Sequence, residues 1–311
     1  MKQIGVICNT ESLAFPSIGY LAAKGLLAGV LVLDRYRKRL GTQLMAAGLL
    51  PEKIRFLKKA GWENGLFQWL NDVKPESVWV FGFPWNIPQE LLDVPINGFI
   101  NFHFGSFPLY RGADPMFWQL RNREPFAGLG IHRMTAEMDG GPVLLQKETA
   151  FIPGETYGFF CQRMGVVAAG LLDNLIGMDY SVEGSEQPKS DAGHAKYLLR
   201  PSLSDLTIDW QVQDSVSIEA LVNACNPNYG GATTSLRGVE VRLLETMPVD
   251  IGSEMLTAEP GTIVYADALY GLIVACKDLR CLRINIVSMQ EGYVSGSKLV
   301  TMGVRVGEKF I

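Results

Sequence analysis

Residues 101–139 read NFHFGSFPLYRGADPMFWQLRNREPFAGLGIHRMTAEMD. The apolar Gly-Phe-Ile before them predicts a strand that delivers Asn101 and His103 to its end. Side chains alternate along a strand, so Asn101 and His103 share one face and Phe102 takes the other. A turn-rich PLYRGADP comes next, then a predicted helix, then a second extended run that ends near Asp139. An amide, an imidazole and a carboxylate that converge at strand ends are the parts of a site for carbonyl chemistry.

Upstream, QIGVIC, AGVLVLD, KIRFL and SVWVFG are short, nearly continuous apolar runs. Helical stretches such as FPSIGYLAAKG, with Phe15, Ile18, Leu21 and Ala22 on one side, and ENGLFQWLND separate them. Apolar strands alternating with helices predict a mostly parallel α/β sheet covered on both faces, Rossmann-like and open. The first loop, CNTES, has no GxGxxG, which argues against dinucleotide binding. Downstream, HRMTAEMDGGPVLLQKETAFI predicts a hairpin around Asp139-Gly140-Gly141, followed by one long amphipathic helix with Phe160, Met164, Val167, Leu171 and Leu175 in line.

Three segments are expected: an α/β catalytic domain at 1–180, a polar Gly/Pro-containing linker at 181–205, and a smaller domain at 206–311. The last contains short runs alternating at period two, which predicts a small OB-like β-barrel.

Of 311 residues, 48% are hydrophobic, and the formal net charge is −4. The chain as a whole is therefore no polycation. Residues 34–59 carry eight basic and two acidic side chains, whereas residues 206–311 carry eight basic and twelve acidic ones. A protein that neutralises the phosphates of a transfer RNA needs several basic contacts. The acidic balance of 206–311 gives tRNA less support than a smaller acceptor. Charge runs such as RYRKR are most often solvated helix faces. Five scattered cysteines predict a reducing compartment. With no leader pattern and no apolar run near the ~20 residues of a membrane span, a cytoplasmic protein without membrane contact is expected.

His103 has the side chain whose reference pKa of about 6.5 suits proton transfer. A neighbouring carboxylate would fix its tautomer and raise that pKa. Asn101 can hold an oxyanion without titrating. His103, His132 and Asp139 would also make three metal ligands. No HxH or CxxC spacing supports that reading, so no metal is expected and His132 is read as a hydrogen-bonding wall residue. Singly, each of these residues is most simply a hydrogen-bonded rim residue. The catalytic reading rests on their occurring together.

Asn101-x-His103, the SFPLYRG loop at 106–112 and Asp139 ahead of a long helix resemble the formyltransferases that use 10-formyltetrahydrofolate. LTIDW (206–210), NPNYGGATT (226–234) and PGTIV (260–264) resemble the small barrel of that family's tRNA- and amino-sugar-modifying branches. The resemblance implies a catalytic triad of Asn101, His103 and Asp139. It implies a folate-binding set of Phe81, Gly82, Phe83, Pro84, Trp85, Ile87 and Met138. It implies acceptor contacts at Asn9, Thr10, Ser106, Arg111, Gly112 and His132. The cosubstrate would be 10-formyltetrahydrofolate and the acceptor a primary amine: an amino sugar, another small amine, or the amino group of methionyl-tRNA. Hydrolysis of the same cosubstrate, and folate or partner binding without turnover, are the alternatives. The barrel is expected to serve in dimerisation or acceptor docking. The chain departs from the family pattern at Asn223, where an Arg is usual, at Gly230-Gly231-Ala232, where Pro-Gly-Ala is usual, and at Phe107-Pro108, where Leu-Leu is usual. Its first loop has Asn9-Thr10-Glu11 in place of Gly-Thr-Pro. These departures bear on the acceptor rather than on the chemistry.

Overall fold

The computed structural model describes residues 2–178, 184–187, 197–250 and 257–311. The chain forms two compact units that interleave along the sequence. One is Met1–Gly112, Phe126–Thr149 and Cys161–Leu198; the other is Ala113–Pro125, Ala150–Phe160 and Leu199–Ile311. Much of the 181–205 stretch expected as a linker lies outside the described residues.

The first unit contains a seven-stranded sheet. In chain order its strands are β1 (Ile4–Cys8), β2 (Leu27–Leu33), β3 (Ile54–Leu57), β4 (Ser77–Phe81), β5 (Phe99–His103), β6 (Phe126–Arg133) and β7 (Val143–Ala150). Their spatial order is β3-β2-β1-β4-β5-β6-β7. The first five pair in parallel, and β6 runs antiparallel to β5. Every residue of β1 and β4 is buried, which is why these strands read as continuous apolar runs rather than alternating ones. The helix Trp62–Val73 buries Leu66, Trp69 and Leu70 against Ile7, Leu31, Val78 and Val80. Each such side chain contributes about 1.5–3 kcal/mol by leaving water. The strand order reverses between β1 and β4. In open sheets of this kind, ligands bind outside the carboxyl ends of the strands at that point. Asn9, Gly82 and the end of β5 sit there.

Several local expectations need correction. The first helix runs Glu11–Ala23 and buries Ala14, Ser17, Ile18 and Leu21; Phe15 is only partly buried and Ala22 is exposed. The long helix is two, Tyr157–Ala169 and Leu172–Gly177, broken at Gly170-Leu171. Its buried line passes through Phe160, Met164, Ala168, Leu172 and Leu175 at i, i+4 and i+3 spacing, and Val167 and Leu171 lie beside it, only partly buried. By length and composition alone the span Tyr157–Gly177 is apolar enough to cross a membrane, contrary to the reading that no run comes close. Its buried line marks it as a helix of the protein core. Finally, β6 ends at Arg133, so Asp139 lies in an irregular connection rather than at the end of an extended run.

The second unit contains an antiparallel sheet of β8 (Ala232–Leu236), β9 (Val239–Val249), β10 (Ile263–Asp267), β11 (Gly271–Ala275), β12 (Cys281–Met289) and β13 (Gly292–Ser295). The path is β10-β11-β12-β9-β8, with β13 on β12. The last residues of the chain join its two ends. Ile311 exchanges two backbone hydrogen bonds with Ser235 of β8 at 2.8 and 3.0 Å, and Ile263 of β10 donates to the Glu308 carbonyl at 2.8 Å. This closure makes the sheet barrel-like, and closure removes exposed strand edges. Trp210 and Phe310 pack inside, with ring centroids 5.9 Å apart. The helix Ser215–Cys225 packs on β9, and the helix Pro115–Arg121 packs on that helix. Asp114 caps Pro115–Arg121 with φ +51° and accepts hydrogen bonds from the Tyr157 hydroxyl at 3.0 Å and from the Tyr229 hydroxyl. It thereby ties together all three stretches of this unit.

Candidate active site

β5 brings Asn101 and His103 to its carboxyl end, and the 134–142 connection brings Asp139 to meet them. Asp139 Oδ1 lies 3.4 Å from Asn101 Nδ2 and 3.6 Å from His103 Nδ1. Its Oδ2 accepts the Gly112 backbone N–H at 2.9 Å. His132, on β6 directly opposite Asn101, completes the group: its Nε2 is 3.0 Å from Asn101 Nδ2 and 3.7 Å from Asp139 Oδ1. His132 Nδ1 faces the Arg133 carbonyl at 2.8 Å, so Nδ1 donates and Nε2 accepts from the Asn101 amide.

The loop at 104–112 folds over His103. The ring of Phe107 stacks on the imidazole, with centroids 4.9 Å apart and planes 13° apart, and meets His132 edge-on at 5.3 Å. Gly130 of β6 makes room, since a Cβ there would come within 2.3 Å of the Phe107 ring. The Tyr110 carbonyl caps His103 Nε2. A carbonyl only accepts, so Nε2 carries the proton and, in the neutral ring, Nδ1 holds the free lone pair facing Asp139.

Burial lowers the His103 pKa below its ordinary value; the Asp139 charge and the Tyr110 carbonyl pull upward without overcoming it. This corrects the expectation of a raised imidazole pKa. Desolvation outweighs the carboxylate because the side chain is almost wholly removed from water. Burial pushes the Asp139 carboxyl up. The contact with His132, the charge of His103 and the Gly112 N–H together outweigh that push and bring it down to about 2. The resting site therefore pairs an ionised carboxylate with a neutral imidazole near pH 7.

Residues 35–172 match the family model described as formyl transferase, and residues 202–300 match the formyl transferase C-terminal domain, in that order along the chain. The chain belongs to the formyl transferase family. It is 31% identical over 202 residues to a methionyl-tRNA formyltransferase of Aromatoleum aromaticum, covering 65% of this chain and 61% of that relative. Its fold is similar to that of HypX from Aquifex aeolicus, with a TM-score of 0.66 and 14% identity over 97% of this chain and 50% of the other. It is also similar to WlaRD, a sugar 3N-formyl transferase solved with dTDP and 5-N-formyl-THF, with a TM-score of 0.63 and 13% identity over 91% of this chain and 97% of the other. This chain thus spans about three-fifths of the Aromatoleum relative and half of HypX.

The remaining residues expected at the site of this formyl transferase family member fall into distinct places. Phe81 is fully buried and stacks on Phe102 at 4.3 Å, so its ring belongs to the core. Ile87 is buried as well. Gly82 and Pro84 are exposed, and the Gly82 carbonyl accepts from the Asn9 side-chain amide. Phe83 and Trp85 engage each other and Trp62, with Trp62 and Trp85 stacked at 5.1 Å. Trp62 escaped the sequence reading; its only signal was a third aromatic at the start of a helix. Met138 is half-exposed. Asn9 Oδ1 is buried with no hydrogen-bond partner among the described residues, Thr10 precedes the first helix without a side-chain cap, and Ser106 anchors the 104–112 loop by accepting the Tyr110 N–H at 2.9 Å. Gly112 offers its N–H to Asp139 rather than outward. Among the described residues, no group of three or more His, Cys, Asp and Glu is arranged to hold a metal ion.

Proposed function

We propose that this protein transfers the formyl group of 10-formyltetrahydrofolate to a primary amine. The observation that carries this reading is the convergence of Asn101, His103 and Asp139 at the carboxyl end of β5 in a chain of this family. The amine nitrogen attacks the formyl carbon, forming the new C–N bond and an oxyanion. Collapse of the oxyanion breaks the bond to N10 of the folate, which takes up the proton released by the amine. Asn101, half-buried and neutral, is the donor suited to the oxyanion, which would take over the amide hydrogen that reaches Asp139 at 3.4 Å. His103 acts as the base: its free Nδ1 takes the amine proton, and the ionised Asp139 stabilises the imidazolium that forms. A carboxyl with a pKa of about 2 holds a proton too weakly to be the base itself. The loop at 82–87 and Met138 would form the folate side, and Asn9, Thr10, Ser106 and Arg111 the acceptor side. The 206–311 barrel would serve acceptor docking.

Two acceptors follow from different observations. The methionyl-tRNA amino group is supported by the names of curated relatives such as that of Aromatoleum aromaticum, and a small amine such as an amino sugar is supported by the acidic balance of 206–311. The test is incubation with 10-formyltetrahydrofolate and separate pools of methionyl-tRNA, nucleotide-linked amino sugars and free amines, following release of tetrahydrofolate and formylated product. Folate release with no acceptor present would identify a hydrolase. No release in any pool would leave a binding protein.

A further inference from the structure

Asp139 has φ +51°, a left-handed conformation that is strained for a non-glycine residue and persists only where the surroundings hold it. Within the turn, Gly140 N–H reaches the Glu137 carbonyl at only 3.3 Å. Further bonds to the main chain of the turn come from residues that the sequence reads as a linker. The two amide hydrogens of Gln187 go to the carbonyls of Asp139 at 2.6 Å and Gly141 at 2.7 Å, and its Oε1 accepts from the Arg111 guanidinium. The Tyr197 hydroxyl donates to the Met138 carbonyl at 2.6 Å. The backbone is held on both sides of this stretch. Ser185 exchanges hydrogen bonds with Val143 at 2.8 and 3.0 Å, and Leu198 N–H reaches the Arg111 carbonyl at 2.9 Å. Gly112 is locked here too: with φ +98°, a Cβ would come within 2.4 Å of the Leu198 carbonyl.

These contacts close a circuit. Gln187 binds the main chain of Asp139 and the side chain of Arg111, and the next residue, Gly112, binds Asp139 Oδ2. We propose that Gln187 is a positioning residue: it fixes the Asp139 turn to the Arg111-Gly112 loop, so that the carboxylate is held facing His103. The role of Asp139 in catalysis rests on the function proposed above; the positioning itself does not.

The test uses full-length protein with Gln187→Leu, which removes every hydrogen bond, and Gln187→Glu, which keeps an acceptor for Arg111 but cannot donate to the carbonyls. Tyr197→Phe is a milder variant in case these two do not fold. The Asp139 carboxyl is titrated by carbon-13 NMR, its signal assigned with Asp139→Asn, and kcat and KM are measured with 10-formyltetrahydrofolate and an amine. Both Gln187 variants are expected to raise the Asp139 midpoint by a pH unit or more and to lower kcat tenfold or more. KM for the folate should change less than threefold. Tyr197→Phe should move the midpoint in the same direction by less. A variant that melts earlier but keeps the wild-type Asp139 titration would reduce Gln187 to an anchor of the chain and overturn the proposal, as would a wild-type titration in Gln187→Glu. If the wild-type protein transfers no formyl group, the functional reading fails, while the titration still decides the role of Gln187.

Discussion

The ring of Phe107 lies flat on the imidazole of His103, 4.9 Å between centroids and 13° from parallel. This contact and the Tyr110 carbonyl take His103 out of water, leaving only its Nδ1 edge turned toward Asp139. The loop at 104–112 therefore governs the chemistry of the histidine as well as covering it.

Truncating the stacked ring tests this. Phe107→Ala should cost about 3–5 kcal/mol of stability, the usual range for a buried Phe. It should also move the His103 titration up toward its ordinary value as water enters. Chemical denaturation and proton NMR of the imidazole measure the two effects. A His103 midpoint unmoved by the substitution would show that the ring is not what dehydrates it.

Removing any member of the central group should slow transfer sharply. Asn101→Ala, His103→Ala and Asp139→Ala are each expected to lower kcat a hundredfold or more, about 3 kcal/mol of barrier for a lost oxyanion donor. Single-turnover assays with 10-formyltetrahydrofolate give the values. Near-normal turnover by His103→Ala would refute the assignment of the base.

Stability should decline in acid in two stages. The folded-state pKa of His103 is lowered, so the unfolded chain binds its proton first, and the contribution of His103 is lost as pH falls below about 6.5. Asp139, brought from 3.8 to about 2, contributes roughly 2 kcal/mol above pH 3.8 that disappears between those two values. Urea midpoints from pH 8 to pH 2 should show both stages, and His103→Gln should remove the upper one. With His103 as base, the acid limb of kcat should also have its midpoint below 6.5.

Phe310 is buried in the closure of the second unit. Phe310→Ala should destabilise that unit by about 3–5 kcal/mol. Hydrogen exchange would register this as faster exchange in β8 and β10, while β1 and β4 keep their protection.

The sequence by itself determined the parallel core, because strands buried on both faces read as nearly continuous apolar runs, and β1, β2 and, after Ser77, β4 do. It also determined Asn101 and His103 as neighbours on one face, because strand periodicity is local. The alternating pattern of β8, buried at every second residue, made the second sheet legible in the same way. What only the tertiary structure decided are the relations between distant residues. Whether His103 is raised or lowered depends on how much water Phe107 and Tyr110 exclude, and no spacing encodes that. The closure of the barrel by Ile311 and Ser235 joins residues 76 positions apart. Gln187 lies in a polar stretch with no periodic signal. Its amide meets the Asp139 turn because the chain folds back there, and hydrogen bonds to a main chain leave no pattern in the sequence of the residues that receive them.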